Sequence, residues 1–257
     1  RITGRSAQVR PLSLLLNGGL ILGWGLSLAL SLGTNTTQAP LWLLVVLVLL
    51  RAQLQTGLFI VAHDAMHGLL VPGRSRWNNA MGAVALLLYA GLPFAGCLRQ
   101  HQRHHRAPGS LQDPDFPSDL QSGAIRWYRQ FLARYLSPRQ MLLLLAGWGL
   151  ALGLTVAAAE VPLAVALWRV LLFITLPLLL SSLQLFVFGT FLPHRCQRQP
   201  EQRTQPISLN LPPWLSLLAC FHFGYHREHH NNPGLSWFEL PAARSLHRSL
   251  AVAEPLR

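Results

Sequence analysis

Three short stretches of this sequence gather imidazoles at helical spacing. HDAMH carries His63 and His67, HQRHH carries His101, His104 and His105, and HREHH carries His226, His229 and His230. Residues three and four apart lie on one face of a helix, so each stretch presents its rings as a single stripe. His222, four residues before His226, extends the third stripe by a turn, and His194 stands alone at the end of a long apolar run. His247, near the C-terminus, reads as a solvent-facing residue. Surface histidines need no such spacing, and rings packed without partners would bury polar nitrogens at a cost. The chemistry that uses convergent imidazoles is metal binding. A tetrahedral site takes four ligands, so eight or more suit two ions with positions left open for oxygen or solvent. Imidazole suits zinc, copper, iron and nickel alike, and spacing does not choose among them.

A metal-bound histidine usually donates its other ring nitrogen to a carboxylate or carbonyl. Asp64, Asp113, Asp115 and Glu228 are the candidates for that supporting role, with Asp119 and Glu239 also near the clusters in sequence. The DPDFPSD segment that holds three of these aspartates equally fits an ordinary Asp/Pro turn.

The elements that must position these groups are apolar. Only 12% of the 257 residues are charged and 51% are hydrophobic, against about 25% charged in soluble domains. No compositional break or repeat divides the chain, so residues 1–257 are expected to form one domain. All 21 Lys+Arg residues are Arg, and the net charge is +12. The arginines lie between apolar runs, with no aromatic-rich basic stripe and no nucleic-acid motif, so a topological role fits and nucleic acid is not expected as a partner. Cys97, Cys196 and Cys220 are scattered and odd in number, which predicts no structural disulfide.

Leu12–Leu32, Pro40–Ala62, Met141–Ala159 and Pro162–Leu192 are long enough to cross a bilayer as helices. The run Ala80–Leu98 is broken by Gly91, Pro93 and Gly96. Basic segments flank it on both sides, so it is expected to bend back as a re-entrant or interfacial piece buried by protein. The expected architecture is an all-α integral membrane protein with about four transmembrane helices plus that segment, and every histidine cluster on the cytoplasmic side. Arg169, near the outer end of the last span, is expected to snorkel. Arg51 falls inside the second span, where a charge needs a partner; Glu160 is the candidate.

The boxes HxxxH, HxxHH and HxxHH at membrane-helix ends resemble the membrane-bound fatty acid desaturase and hydroxylase superfamily. AHDAMHG, RQHQRHHRAPG, DPDF, FGTFLPHR and FHFGYHREHHNNPGLSWFELP are most similar to bacterial β-carotene ketolases. The resemblance implies a helical cytoplasmic cap holding a His-rich di-iron site. Its ligands would be His63, His67, His101, His104, His105, His226, His229 and His230, with His194 and His222 as further ligands outside the boxes. It implies two iron ions (Fe2+/Fe3+), dioxygen as co-substrate and an external reductant, for which a ferredoxin-type donor is the expected partner.

The implied substrate is β-carotene or a related carotenoid taken from the lipid membrane. C4 (and C4′) of the β-ionone ring would be hydroxylated twice, and loss of water would leave the ketone. No catalytic residue beyond the metal ligands is required. Trp77, Tyr89, Phe94, Phe186, Phe188, Phe191, Phe221, Phe223, Tyr225, Trp237 and Phe238 are candidates for the apolar slot, though packing is the commoner role for such rings. A carotenoid hydroxylase or an acyl-lipid desaturase could use the same irons. A histidine-rich metal transporter would instead place its ligands along a path within the spans. The sequence leaves the oligomeric state open.

Overall fold

The computed structural model describes residues 11–110, 112–117, 119, 123–195 and 206–253. Among them the regular elements are helices, with no strand. In chain order they are α1 (Pro11–Gly33), α2 (Leu41–Met66), α3 (Ser75–Ala90), α4 (Phe94–Arg106), α5 (Ala124–Tyr135) and α6 (Pro138–Ala159). Then follow α7 (Leu163–His194), α8 (Pro213–Cys220), α9 (His226–Asn231) and α10 (Leu240–Ala253). Helices α1, α2, α6 and α7 are long and apolar enough to cross a membrane.

The burial pattern of α1 is the reverse of a soluble helix. In α1 the buried residues are Ser13, Asn17, Ser27 and Ser31, while Leu15, Leu22 and Leu30 are exposed. Small polar residues turned inward and leucines turned outward suit a helix surrounded by lipid. The run Ala80–Leu98 bends as its glycines and proline foretell. Gly91 closes α3 in the left-handed conformation, and α3 and α4 are bent by 99° at this break.

The chain forms two compact units, Arg1–Gly96 with Leu132–Leu183, and Cys97–Phe131 with Gln184–Arg257. In the first unit, polar side chains pin the spans to one another. The Trp24 indole N–H donates to Gln55 Oε1 at 2.6 Å, and Gln55 Nε2 donates to the Tyr89 carbonyl. Thr56 Oγ1 meets Ser181 Oγ at 2.8 Å. Gly82 allows α3 to approach closely, because a Cβ there would lie 2.4 Å from Phe94 Cε2 and 2.6 Å from Ala65 Cβ.

Both membrane arginines depart from expectation. Arg51 does not use Glu160. Its Nη1 donates to the Trp24 carbonyl and Ser27 Oγ, and its Nε donates to the Phe173 carbonyl. Arg169 does not snorkel; it is buried and donates to the Leu32 carbonyl at 2.9 Å. The last carbonyls of a helix lack intrahelical partners, so the C-terminal end of α1 offers a cation both acceptors and a favourable dipole.

The second unit packs an aromatic cluster in which Phe116, Trp127 and Phe186 are buried against Tyr128, Phe131, Val187 and Phe191. The Trp127 indole N–H donates to the Asp115 carbonyl at 2.9 Å, tying the Asp/Pro segment to α5. Phe186 and Phe191, two of the slot candidates, therefore serve this packing. They lie in a π-helical stretch of α7, Phe186–Phe191, a geometry common near functional sites. Cys97 and Cys220 are buried and free. Cys196 and the basic stretch 1–10 lie outside the described residues.

Candidate metal centre

Helix α2 continues through Met66, so His63 occupies its last turn and His67 its C-cap. The two rings lie with centroids 4.9 Å apart, as the i, i+4 spacing requires. Asn78 fixes the turn that follows. Its Nδ2 donates to the Ala65 carbonyl at 2.7 Å, and its Oδ1 accepts from the Leu70 N–H. Asp64 Oδ1 lies 3.8 Å from His63 Nδ1. Burial pulls His67 down to about 4, which keeps it neutral, the form in which imidazole binds a metal.

The second unit brings together four histidines from three places in the sequence. His104 comes from α4, His194 from the end of α7, and His226 and His230 from α9; each offers a ring nitrogen within 4.8 Å of the others. His104 Nε2 lies 3.0 Å from His230 Nε2, which lies 3.1 Å from His226 Nε2. His101, His105 and His229 form a second grouping, with His105 Nε2 2.9 Å from His229 Nε2.

These spacings fit a cation better than hydrogen bonds. One proton on His230 Nε2 can serve only one of its two nitrogen neighbours, whereas a cation at their focus serves all three. Nitrogens held about 2.1 Å from an ion at near right angles lie about 3.0 Å apart. His194 supplies the same argument in another form. It is buried, and neither ring nitrogen has a hydrogen-bond partner among the described residues. Two orphaned nitrogens in a buried ring are costly unless something else ligates them. Burial, then the neighbouring imidazoles, hold His226 well below its ordinary pKa.

Asp113 orients the first group. Its carboxylate oxygens lie 2.9 and 3.0 Å from His104 Nδ1, and Asp115 Oδ2 lies 3.9 Å away. Asp113 also accepts the backbone N–H groups of Gly109 and Asp115. Burial alone would raise its pKa, but His104 and these amides together hold it below the usual carboxylate range. The carboxylate thus keeps the proton on His104 Nδ1 and leaves Nε2 as a lone-pair donor, the arrangement that aims a histidine ligand.

Three residues sit differently from the sequence reading. His222 is not on the helix that carries the third box. Helix α8 ends at Cys220, and Phe221 and His222 both adopt positive φ, 45° and 65°, before α9 begins at His226. The His222 ring stacks on Tyr225 and Trp237 and belongs to neither histidine group among the described residues.

Glu228 turns away from the box. It meets the Ser208 hydroxyl, and its Oε1 lies 3.0 Å from both Arg244 Nη1 and His247 Nδ1. His247, read from sequence as a bystander, is therefore half-exposed but bonded to a buried carboxylate. Glu239 accepts the Ser236 N–H in a capping box, and Asp119 pairs with exposed Arg126 at 3.4 Å. Sequence spacing could not reveal the Ser208, Arg244 and His247 contacts, which join residues 16 to 20 positions from Glu228.

Comparison with known proteins shows the family. The chain is 40% identical over 245 residues to a beta-carotene ketolase of Paracoccus sp. (strain N81106), covering 93% of this chain and 95% of that protein. It is 43% identical over 196 residues to a beta-carotene ketolase of Paracoccus sp. (strain PC1), covering 74% and 75%. A zeaxanthin 4-ketolase of Chlamydomonas reinhardtii is 35% identical over 232 residues, covering 88% of this chain and 49% of that protein. Residues 40–256 match the model of the fatty acid desaturase family, and with its histidine groups and four apolar spans this chain is an integral membrane protein that belongs to that family.

Proposed function

We propose that the chain is a di-iron, dioxygen-dependent β-carotene ketolase acting as a single domain over residues 1–257. The observation that carries the metal centre is the convergence of His104, His194, His226 and His230, with both nitrogens of buried His194 lacking a hydrogen-bond partner among the described residues. The likeness to named ketolases over most of the chain supports the substrate class. The eight box histidines His63, His67, His101, His104, His105, His226, His229 and His230 hold two irons, with His194 as a further ligand of one. Bound iron would supply dioxygen activation and the oxidising power needed to break the C4 C–H bond, which its allylic position weakens.

The protein's own part is positioning and exclusion of side reactions. Asp113 fixes the tautomer and aim of His104. A carotene has no polar handle, so its ring end is held by shape and apolar contact and reaches the site from the bilayer. Two hydroxylations at C4 give a geminal diol, and loss of water leaves the ketone. Each hydroxylation takes up one dioxygen, two protons and two electrons, and releases one water. The electrons come from an external carrier, and we assign that role to an acidic ferredoxin-type protein docking on the arginine-rich cytoplasmic side.

Expression in a host that accumulates β-carotene tests the reading. Echinenone- and canthaxanthin-type ketones, with about two irons per chain in the purified protein, are the expected result. Ring hydroxyls without ketones, or altered membrane fatty acids with unchanged carotene, would replace it with a hydroxylase or a desaturase. Metal uptake without oxygen consumption would indicate a transporter. Turnover with ferredoxin that is indifferent to salt would remove the electrostatic docking.

A further inference from the structure

Three of the histidines above ride on α9, a helix of six residues. Isolated helices shorter than about 12 residues are marginal at best, so α9 cannot hold its own rotation. Its backbone is tied at the start. The Arg227 N–H donates to Ser208 Oγ at 3.1 Å, and the Leu209 N–H donates to the Gly224 carbonyl at 2.8 Å. Tyr225, the residue before the helix, donates its hydroxyl to the Leu211 carbonyl, and the Arg244 guanidinium lies over its ring.

Glu228 is the side-chain anchor. At about 100° per residue it points roughly 155° away from the mean direction of His226, His229 and His230. Its side chain is 2% exposed, and its carboxylate takes hydrogen bonds from three side chains on two segments: Ser208 before α8, and Arg244 and His247 on α10. Burial alone would raise the Glu228 pKa, but Ser208, His247 and Arg244 outweigh it and hold the group below the usual carboxylate range. A carboxylate clamped on the back of so short a helix fixes the direction in which its front face points.

We infer that Arg244 and His247 are positioning residues of the metal centre, acting through Glu228 to set the rotation of α9 and hence the aim of His226, His229 and His230. The C-terminal helix α10 is then part of the centre's geometry although it supplies no ligand. The inference rests on the proposed iron site.

The test measures iron content and the rate of iron loss to a chelator in purified, folded protein, beside the melting temperature. Arg244→Ala should release iron about tenfold faster than the wild type, the range seen when groups supporting a metal ligand are removed. Arg244→Lys should recover part of the loss. Because both groups act through one contact, Arg244→Ala combined with Glu228→Gln should be no worse than Glu228→Gln alone. A purely structural role would lower the melting temperature and leave iron release from the folded protein unchanged; that result overturns the inference. Should Arg244→Ala fail to fold, His247→Ala decides. That side chain is 42% exposed, and its removal should speed release about threefold, with an unchanged rate again overturning the inference. A wild-type protein that binds no iron would sink the metal reading itself, and this inference with it.

Discussion

Arg51 Nε donates to the Phe173 carbonyl across 122 residues of sequence, at 3.2 Å and fully buried. The acceptor lies in a π-helical turn of α7, Leu171–Thr175, and the same guanidinium sits over the Trp24 ring while donating to the Trp24 carbonyl and Ser27. One charged fork therefore joins α1, α2 and α7. A membrane charge satisfied by carbonyls and a ring needs no counter-ion, and among the described residues no acid pairs with it.

Removing that fork takes the charged donor away from the Phe173 and Trp24 carbonyls, of which Trp24 keeps its Ser27 hydroxyl partner. Arg51→Met should destabilise the protein by about 2 to 4 kcal/mol, read as a lowered melting temperature in detergent. Arg51→Lys should recover little, because an ammonium cannot reproduce the planar fork that reaches two helices at once. A lysine variant as stable as the wild type would show that charge, and not geometry, is what the site requires.

Gly189 and Phe223 make a second dependency. A Cβ on Gly189 would lie 2.7 Å from Phe223 Cδ1, and the Phe223 ring stacks on His229 with centroids 6.0 Å apart. Gly189→Ala should push Phe223 against His229 and lower both iron content and turnover several-fold. Adding Phe223→Leu, which shortens the intruding side chain, should restore part of both. Iron analysis of the single and double variants checks this; a double variant worse than Gly189→Ala would mean that the two residues act separately.

The spans were legible because lipid demands long apolar helices, and the bend at Gly91–Pro93 was legible because those residues break a helix. The helical stripes of the boxes are legible because i, i+3, i+4 spacing needs only a helix to become a stripe. His222 shares that spacing but not the helix. Its spacing continued the stripe, but Phe221 and His222 take left-handed backbone, and nothing in the residue types announces that turn. Asp113 was one of several aspartates in a turn, and only coordinates separate it from Asp119, which pairs with a surface arginine. The clamp on Glu228 and the partners of Arg51 depend on contacts between distant segments, for which local pattern carries no signal.

His194 and His222 should then behave oppositely toward metal. His194→Ala removes a member of the four-histidine group and should lower bound iron and abolish product. His222→Asn should leave iron unchanged, since that ring lies outside both groups. Asparagine also tolerates positive φ better than most residues, so the change should not strain the turn. Iron loss in His222→Asn would place that ring among the ligands after all.

The same substitution has a pH signature in the iron-free protein. Burial pulls His222 from 6.5 down to about 4, so the folded state resists a proton that the unfolded chain accepts. Between those two values the unfolded state binds more protons, and stability must fall as pH falls. The contribution is fully present above about 6.5, is lost progressively toward about 4, and amounts to about 3 kcal/mol at most. His67, pulled down to about 4 in the same way, adds to the slope, so His222→Asn should flatten it without abolishing it. Melting temperatures of wild-type and variant apoprotein at pH 7 and pH 5 measure the difference. The variant should lose less on acidification, and an identical drop in both would show that His222 titrates normally in the folded state.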